Sequence, residues 1–243
     1  MNSSKVKNFP VLLHLTTNKR CLVMKTILFQ GDSITDCGRD KSYDTAWWNE
    51  PSPVKDGVSC GHGYAGFVEA QLGVDYPNEY GFINRGISGN RVIDIYARIN
   101  KDIINLKPDY MSILVGVNDV WHGLDGWNGV GADKYFMIYS LMIEEIKSAL
   151  PDIKIMILEP FLLKATATEK DWDLFRSEVE KRAEKSRLVA EKYGLKFVPL
   201  MSKFDEATKL APASYWTADG VHPTAKGNEI IKREWIKAFE EIK

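Results

Sequence analysis

The chain has 243 residues, 44% of them hydrophobic and 27% charged, with a formal net charge of −1. That profile belongs to a globular protein and excludes a disordered chain. The near-zero charge and the dispersed Lys and Arg remove the electrostatic footprint of a nucleic-acid binder or a polybasic membrane-surface protein. No apolar run approaches the roughly 20 residues that a membrane helix needs. Cys21, Cys37 and Cys60 are an odd set without C-x-x-C spacing, which argues against a disulfide framework and against a zinc site. Reduced thiols in a cytoplasmic protein are the reading that fits.

Residues 1–23 carry Lys5, Lys7, Lys19 and Arg20 around a short apolar run that Pro10 and His14 interrupt. A signal peptide would show an unbroken apolar stretch followed by a small-residue cleavage site. Residues 1–23 therefore read as a peripheral extension, and residues 24–243 as one domain. No repeat, linker or composition shift divides the latter.

The first strand is predicted over 26–30 (TILFQ), followed at once by Gly31-Asp32-Ser33-Ile34-Thr35-Asp36. A serine directly after a buried strand sits at the mouth of a sheet, near the positive end of the next helix. It needs a neighbouring base to act as a nucleophile, and by itself it fits a helix N-cap equally well. Asp32 and Asp36 beside it read as loop hydrogen-bonding groups. The segment 41–60 holds Trp47 and Trp48 among Asp44, Thr45, Asn49 and Glu50, too polar a setting for a core strand. A helix follows at 64–72 with His62 at its entry.

A second strand at 81–84 (GFIN) leads into Asn84-Arg85-Gly86-Ile87-Ser88-Gly89-Asn90, then a helical stretch over 92–106. A third strand at 110–115 (YMSILV) leads into Gly116-Val117-Asn118-Asp119, an Asn-Asp loop signal, and a stretch with Trp121, His122 and Trp127. Helix 134–150, strand 154–158 (KIMIL), helix 172–193 and strand 196–200 (KFVPL) come next. Asp219-Gly220-Val221-His222-Pro223 precedes the final helix, about 224–242, with Ile230, Ile231, Trp235 and Ile236 toward the core. Pro223 reads as a first-turn proline of that helix.

Short, near-continuous apolar strands alternating with helices imply right-handed βαβ units: an α/β protein, a three-layer α/β/α sandwich on a five-stranded parallel sheet. Sites in such sheets lie beyond the carboxyl ends of the strands, where each unusual segment falls. An aspartate three residues before a histidine can accept from its Nδ1–H and fix the tautomer. The backbone N–H groups of Ser33 and Gly89, with the Asn118 amide, would supply donors for an oxyanion. Alone, each of these segments reads equally well as a turn or a cap.

Taken together, the blocks G-D-S, G-I-S-G-N, G-x-N-D and D-x-x-H, in that order, resemble the SGNH (GDSL-like) hydrolases, a large superfamily of esterases and lipases. The resemblance runs from about Lys25 to the last helix. It implies a flavodoxin-like sheet, Ser33 as nucleophile, Asp219 and His222 completing the triad, and Ser33, Gly89 and Asn118 around the oxyanion. Gly31–Arg39 (GDSITDCGR), Gly61–Tyr64, Asn84–Asn90 and Gly116–Trp121 further look like bacterial GDSL acetylxylan esterases and related carbohydrate acetylesterases. That likeness implies a non-secreted enzyme, in some cases a homo-oligomer, removing acetyl groups from xylo-oligosaccharides or related sugars. The chain departs from this subgroup in 41–60 and 121–127, the expected pocket walls. Asp32, Trp47, Trp48, Trp121 and His122 are the candidate substrate-binding residues. No metal and no cofactor is expected.

Rival readings are a lipase or thioesterase for longer acyl chains, a carbohydrate binder on an inactive hydrolase scaffold, and a flavodoxin-like cofactor binder. The first would need an aliphatic acyl channel, the second the loss of a triad or oxyanion residue. The third would need a phosphate-cradling glycine loop after strand one, and none is present there.

Overall fold

The structure, a computed structural model, describes residues 24–41, 60–126 and 128–243. The expected extension 1–23, Trp47, Trp48 and Trp127 lie outside the described residues.

Five strands form one parallel sheet: β1 (Lys25–Gly31), β2 (Tyr80–Asn84), β3 (Tyr110–Leu114), β4 (Lys154–Leu158) and β5 (Lys196–Val198), in the order β2-β1-β3-β4-β5. The three inner strands are mostly apolar and, after Lys25 and Lys154, buried, because helices cover both faces. In β1 every residue after Lys25 is buried. Side chains alternate across the sheet, which splits the core in two. Ile27 and Phe29 join Tyr64, Val68, Trp235 and Phe239 on one face. Leu28, Met111 and Ile113 join Val92, Ile95, Tyr139 and Ile143 on the other.

The helices are α1 (Ser33–Asp36), α2 (Tyr64–Asp75), α3 (Val92–Ala97), α4 (Ile99–Asp102), α5 (Val117–Leu124), α6 (Ala132–Ala149), α7 (Trp172–Tyr193), α8 (Met201–Ala207), α9 (Ala213–Trp216) and α10 (Ala225–Glu240). The chain leaves β1 for β2 on one side, then crosses back over β1 to reach β3. Strand order thus reverses at β1, and ligand sites of such sheets lie beyond the carboxyl ends of the strands at that point, here β1 and β3.

Several expectations need correction. The single helix over 92–106 is broken at Arg98, whose backbone (φ −115°, ψ 17°) caps α3 and starts α4, and a 3-10 turn over Ile104–Leu106 completes the stretch. The Asn118-Asp119 loop signal is the first turn of α5, capped by Gly116. Strand five stops at Val198, because Pro199 carries no N–H for a ladder. The final helix is capped by Thr224, whose hydroxyl accepts from the Gly227 N–H, so Pro223 precedes the cap instead of opening the first turn. In α10 Ile231 and Trp235 are buried with Ala238 and Phe239, while Ile230 and Ile236 are half-buried against the same cluster. His62 is exposed and precedes Gly63, the cap of α2.

Candidate active site

Three loops meet at the carboxyl ends of β1, β2 and β3. Asp32 is the N-cap of α1: its carboxylate accepts from the Ile34 N–H at 3.0 Å. Ser33 is therefore the first helical residue and not the cap, and its hydroxyl is half-buried at the head of the helix. Asp32 is 2% exposed, and its Oδ1 is engaged in the cap. Burial pushes that carboxyl up to about 7, against the pull of the Ile34 N–H and the nearby His222.

The segment between α9 and α10 carries Asp219 and His222. An antiparallel bridge joins Thr217 to Pro223, and the Ala218 N–H donates to the His222 carbonyl at 2.8 Å. Inside this small loop Asp219 Oδ1 accepts from the backbone N–H groups of Val221 (2.9 Å) and His222 (2.8 Å). Asp219 Oδ2 lies 2.7 Å from His222 Nδ1. Burial pushes the Asp219 carboxyl up, but these donors outweigh it and hold the group below its ordinary range. It stays a carboxylate. Gly220, at the tip of the loop, has φ +108°, and a Cβ there would lie 2.5 Å from Thr168 Oγ1 and 2.6 Å from the Leu163 carbonyl. Only glycine fits this conformation at that approach.

His222 Nε2 lies 2.8 Å from Ser33 Oγ, across 189 residues of sequence. The structure thus brings together a hydroxyl, an imidazole and a carboxylate in hydrogen-bonded sequence. Such a relay can move the hydroxyl proton to the imidazole while the carboxylate steadies the resulting cation.

Gly89 stands between two anchored neighbours. Ser88 donates from its N–H (3.0 Å) and its hydroxyl (2.8 Å) to Asp36, which Lys41 also meets at 2.8 Å. The Asn90 side chain accepts from Arg98 Nε at 3.0 Å. Gly89 has φ +82° with nothing within 4 Å of a would-be Cβ, so glycine is required there by backbone conformation; the space itself would admit a side chain. Asn118, on the first turn of α5, donates from Nδ2 to the Asn90 carbonyl at 3.2 Å. That leaves its second amide N–H uncommitted to this bond. Next to it, Asp119 is fully buried and accepts from the Val92 N–H.

Trp121 packs beside the site, its ring 6.4 Å from that of His222 and 5.7 Å from Phe175. It is half-buried and forms a wall next to the imidazole. His122 turns toward Asp94. There burial pushes the carboxyl up, hydrogen bonds from Arg91 outweigh it, and His122 adds a smaller pull. The backbone of His122 also accepts from Asn128 N–H, tying down the α5–α6 connection. Asp36 takes the loop hydrogen-bonding role expected of it, whereas Arg98 is a site-supporting group that nothing in its local pattern marks. Among the described residues, no group of His, Cys, Asp and Glu could hold a metal ion.

A family model for GDSL-like lipases and acylhydrolases matches residues 29–230. The chain belongs to that family. An acetylxylan esterase of Geobacillus stearothermophilus is 32% identical over 218 residues, covering 87% of this chain and 92% of that esterase. Its crystal structure superposes with a TM-score of 0.74 at 30% identity, covering 88% of this chain and 93% of the other. A candidate GDSL-like lipase from Parabacteroides merdae gives a TM-score of 0.80 at 36% identity, over 90% and 98% of the two chains. The family and these relatives make the chain a carboxylic ester hydrolase on an SGNH hydrolase fold. Among the described residues, no helix is long and apolar enough to cross a membrane.

Proposed function

We propose that this family member is a serine acetylesterase acting on acetylated sugars, xylo-oligosaccharides foremost, through a covalent acyl-enzyme. The observation that carries the chemistry is the unbroken run Ser33–His222–Asp219, with bonds of 2.8 and 2.7 Å at the mouth of the sheet. The substrate class rests on the likeness to an acetylxylan esterase along 92% of that protein's length. The indole wall of Trp121 beside His222 suits the apolar face of a pyranose.

In this reading His222 Nε2 takes the Ser33 proton as Ser33 Oγ attacks the ester carbonyl carbon. The carbonyl oxygen becomes an oxyanion facing the Ser33 and Gly89 N–H groups and the Asn118 amide. The tetrahedral intermediate collapses, the C–O bond to the sugar breaks, and His222 returns the proton to the departing sugar oxygen. Water then attacks the acetyl-enzyme with His222 again as base, releasing acetate and restoring Ser33. Asp219 keeps the imidazole in the tautomer that leaves Nε2 free to accept.

The test is acetate release from acetylated xylo-oligosaccharides, acetylated monosaccharides and aryl esters of increasing chain length. Acetylated oligosaccharides should be turned over fastest, and rates on aryl esters should fall beyond the acetyl group. Faster hydrolysis of long-chain esters would replace the acetylesterase reading with a lipase. Ser33→Ala should lower turnover by about a millionfold on every substrate while the circular-dichroism spectrum stays that of the parent. Activity within tenfold of the parent would remove Ser33 from the chemistry.

A further inference from the structure

A guanidinium joins the end of the strand that delivers Ser33 to the loop that carries Gly89. Arg98 sits where the expected long helix breaks between α3 and α4. Its Nε donates to Asn90 Oδ1 at 3.0 Å, one Nη to the Arg85 carbonyl at 2.9 Å, and the other to Gln30 Oε1 at 2.7 Å. The same Gln30 oxygen accepts from the Gly31 N–H at 3.1 Å, at the end of the strand that delivers Ser33. Asp102 meets Arg98 at 2.9 Å and neutralises it; the two side chains are 14% and 8% exposed.

From Asn90 the chain of contacts continues to Asn118, whose amide nitrogen donates to the Asn90 carbonyl at 3.2 Å. An amide that donates one N–H to a held carbonyl is restrained in its orientation, and so is the direction of its second N–H. Asn90 is also covalently next to Gly89. One planar fork therefore ties Gln30, ahead of the Ser33 turn, to Arg85 and Asn90 of the Gly89 loop, and reaches Asn118 only through Asn90.

We propose that Arg98 is a positioning residue for the oxyanion hole, acting through Asn90 on the orientation of the Asn118 amide. The inference rests on the reading of Asn118 as an oxyanion donor. Arg98 does not itself reach the reacting atoms. Its planarity matters more than its charge, because the acceptors of Asn90, Arg85 and Gln30 are met by its three nitrogens in one plane, in addition to the carboxylate of Asp102. A lysine at 98 would keep a charge for Asp102 but could not hold that fork.

The experiment is a double-mutant cycle on a small aryl acetate, with kcat and KM measured separately. Arg98→Lys and Asn90→Ala should each lower kcat roughly 10- to 100-fold, the loss expected from a misplaced catalytic group, with KM within about twofold of the parent. Asn90→Ala removes the acceptor for Arg98 but keeps the backbone carbonyl that Asn118 uses, so it tests the link without disturbing the Asp102 charge. Asn118→Ala alone should lower kcat by about 100- to 1000-fold. In the Asn118→Ala background, the Arg98→Lys and Asn90→Ala effects should shrink to about threefold or less, because the group they orient is gone. Full additivity in that background, or unchanged kcat in both single variants, would overturn the positioning role while leaving Asn118 as donor. An Asn118→Ala enzyme that kept its kcat would instead overturn the oxyanion reading, and the proposal for Arg98 with it.

Discussion

Asp32 shows at the scale of one residue how the site is both built and burdened. Its carboxylate caps α1 and so fixes the backbone that presents Ser33. Burial nevertheless pushes its carboxyl up to about 7, from an ordinary value of 3.8. Between those two values the native chain holds a proton that the unfolded chain has released. Native stability therefore falls as pH rises through that window and levels off above it. Asp32→Asn cannot ionise, so its melting temperature should lack this fall. The difference between parent and variant should move against the parent between about pH 4 and pH 7. A constant difference across that range, measured by thermal melts in matched buffers, would show that Asp32 does not titrate there. The sequence marked Asp32 as unusual by its place beside Ser33, but burial decides what it does, and burial is a property of the finished packing.

Elements were legible where their signal is periodic and obscure where it is short. The strands and the helices α2, α6, α7 and α10 follow from apolar spacing, and α7 matches its expected bounds, closed by Gly194 in the left-handed region. The four-residue helices α1 and α9 are too brief to show a period, and α5 was hidden by an Asn-Asp pair that resembles a loop. The break at Arg98 has no local signal either; its side chain there bonds Asn90 and Gln30, distant in sequence or outside the helix. The candidate site was legible as four blocks, three of which follow a strand end while Asp219–His222 lies between α9 and α10, whereas Arg98, which helps hold those blocks in place, was not. At this scale the tip at Gly220 is a sharp test. Gly220→Ala puts a Cβ against Thr168 and the Leu163 carbonyl at an unfavourable φ. It should cost about 1–3 kcal/mol in urea denaturation through overpacking. It should also lower kcat, because Asp219 donates its place in the same loop; an unchanged unfolding midpoint would mean the loop simply shifts aside.

For the whole molecule, the two core layers have different duties. The face formed by α2 and α10 lies behind β1, where Phe29 packs against Trp235 at 5.5 Å between ring centroids and against Tyr64 at 5.9 Å. Trp235 is fully buried. Trp235→Ala should destabilise the fold by about 3–5 kcal/mol, read from chemical denaturation. Because α10 follows directly on Pro223 and Thr224, the same change should lower activity under conditions where the variant is still folded. Activity per folded molecule equal to the parent would show that α10 supports the core without setting the position of His222. The small loop closed by the bridge of Thr217 to Pro223 gives that dependence its form. Carboxylate and imidazole travel together in it as a cassette, with their mutual geometry settled by neighbours in sequence. To an engineer the triad by itself has one long-range joint, the contact between Ser33 and His222. Drift elsewhere in the scaffold would detune that joint and leave the cassette intact, so activity lost at a distance should be recoverable by re-seating a single part.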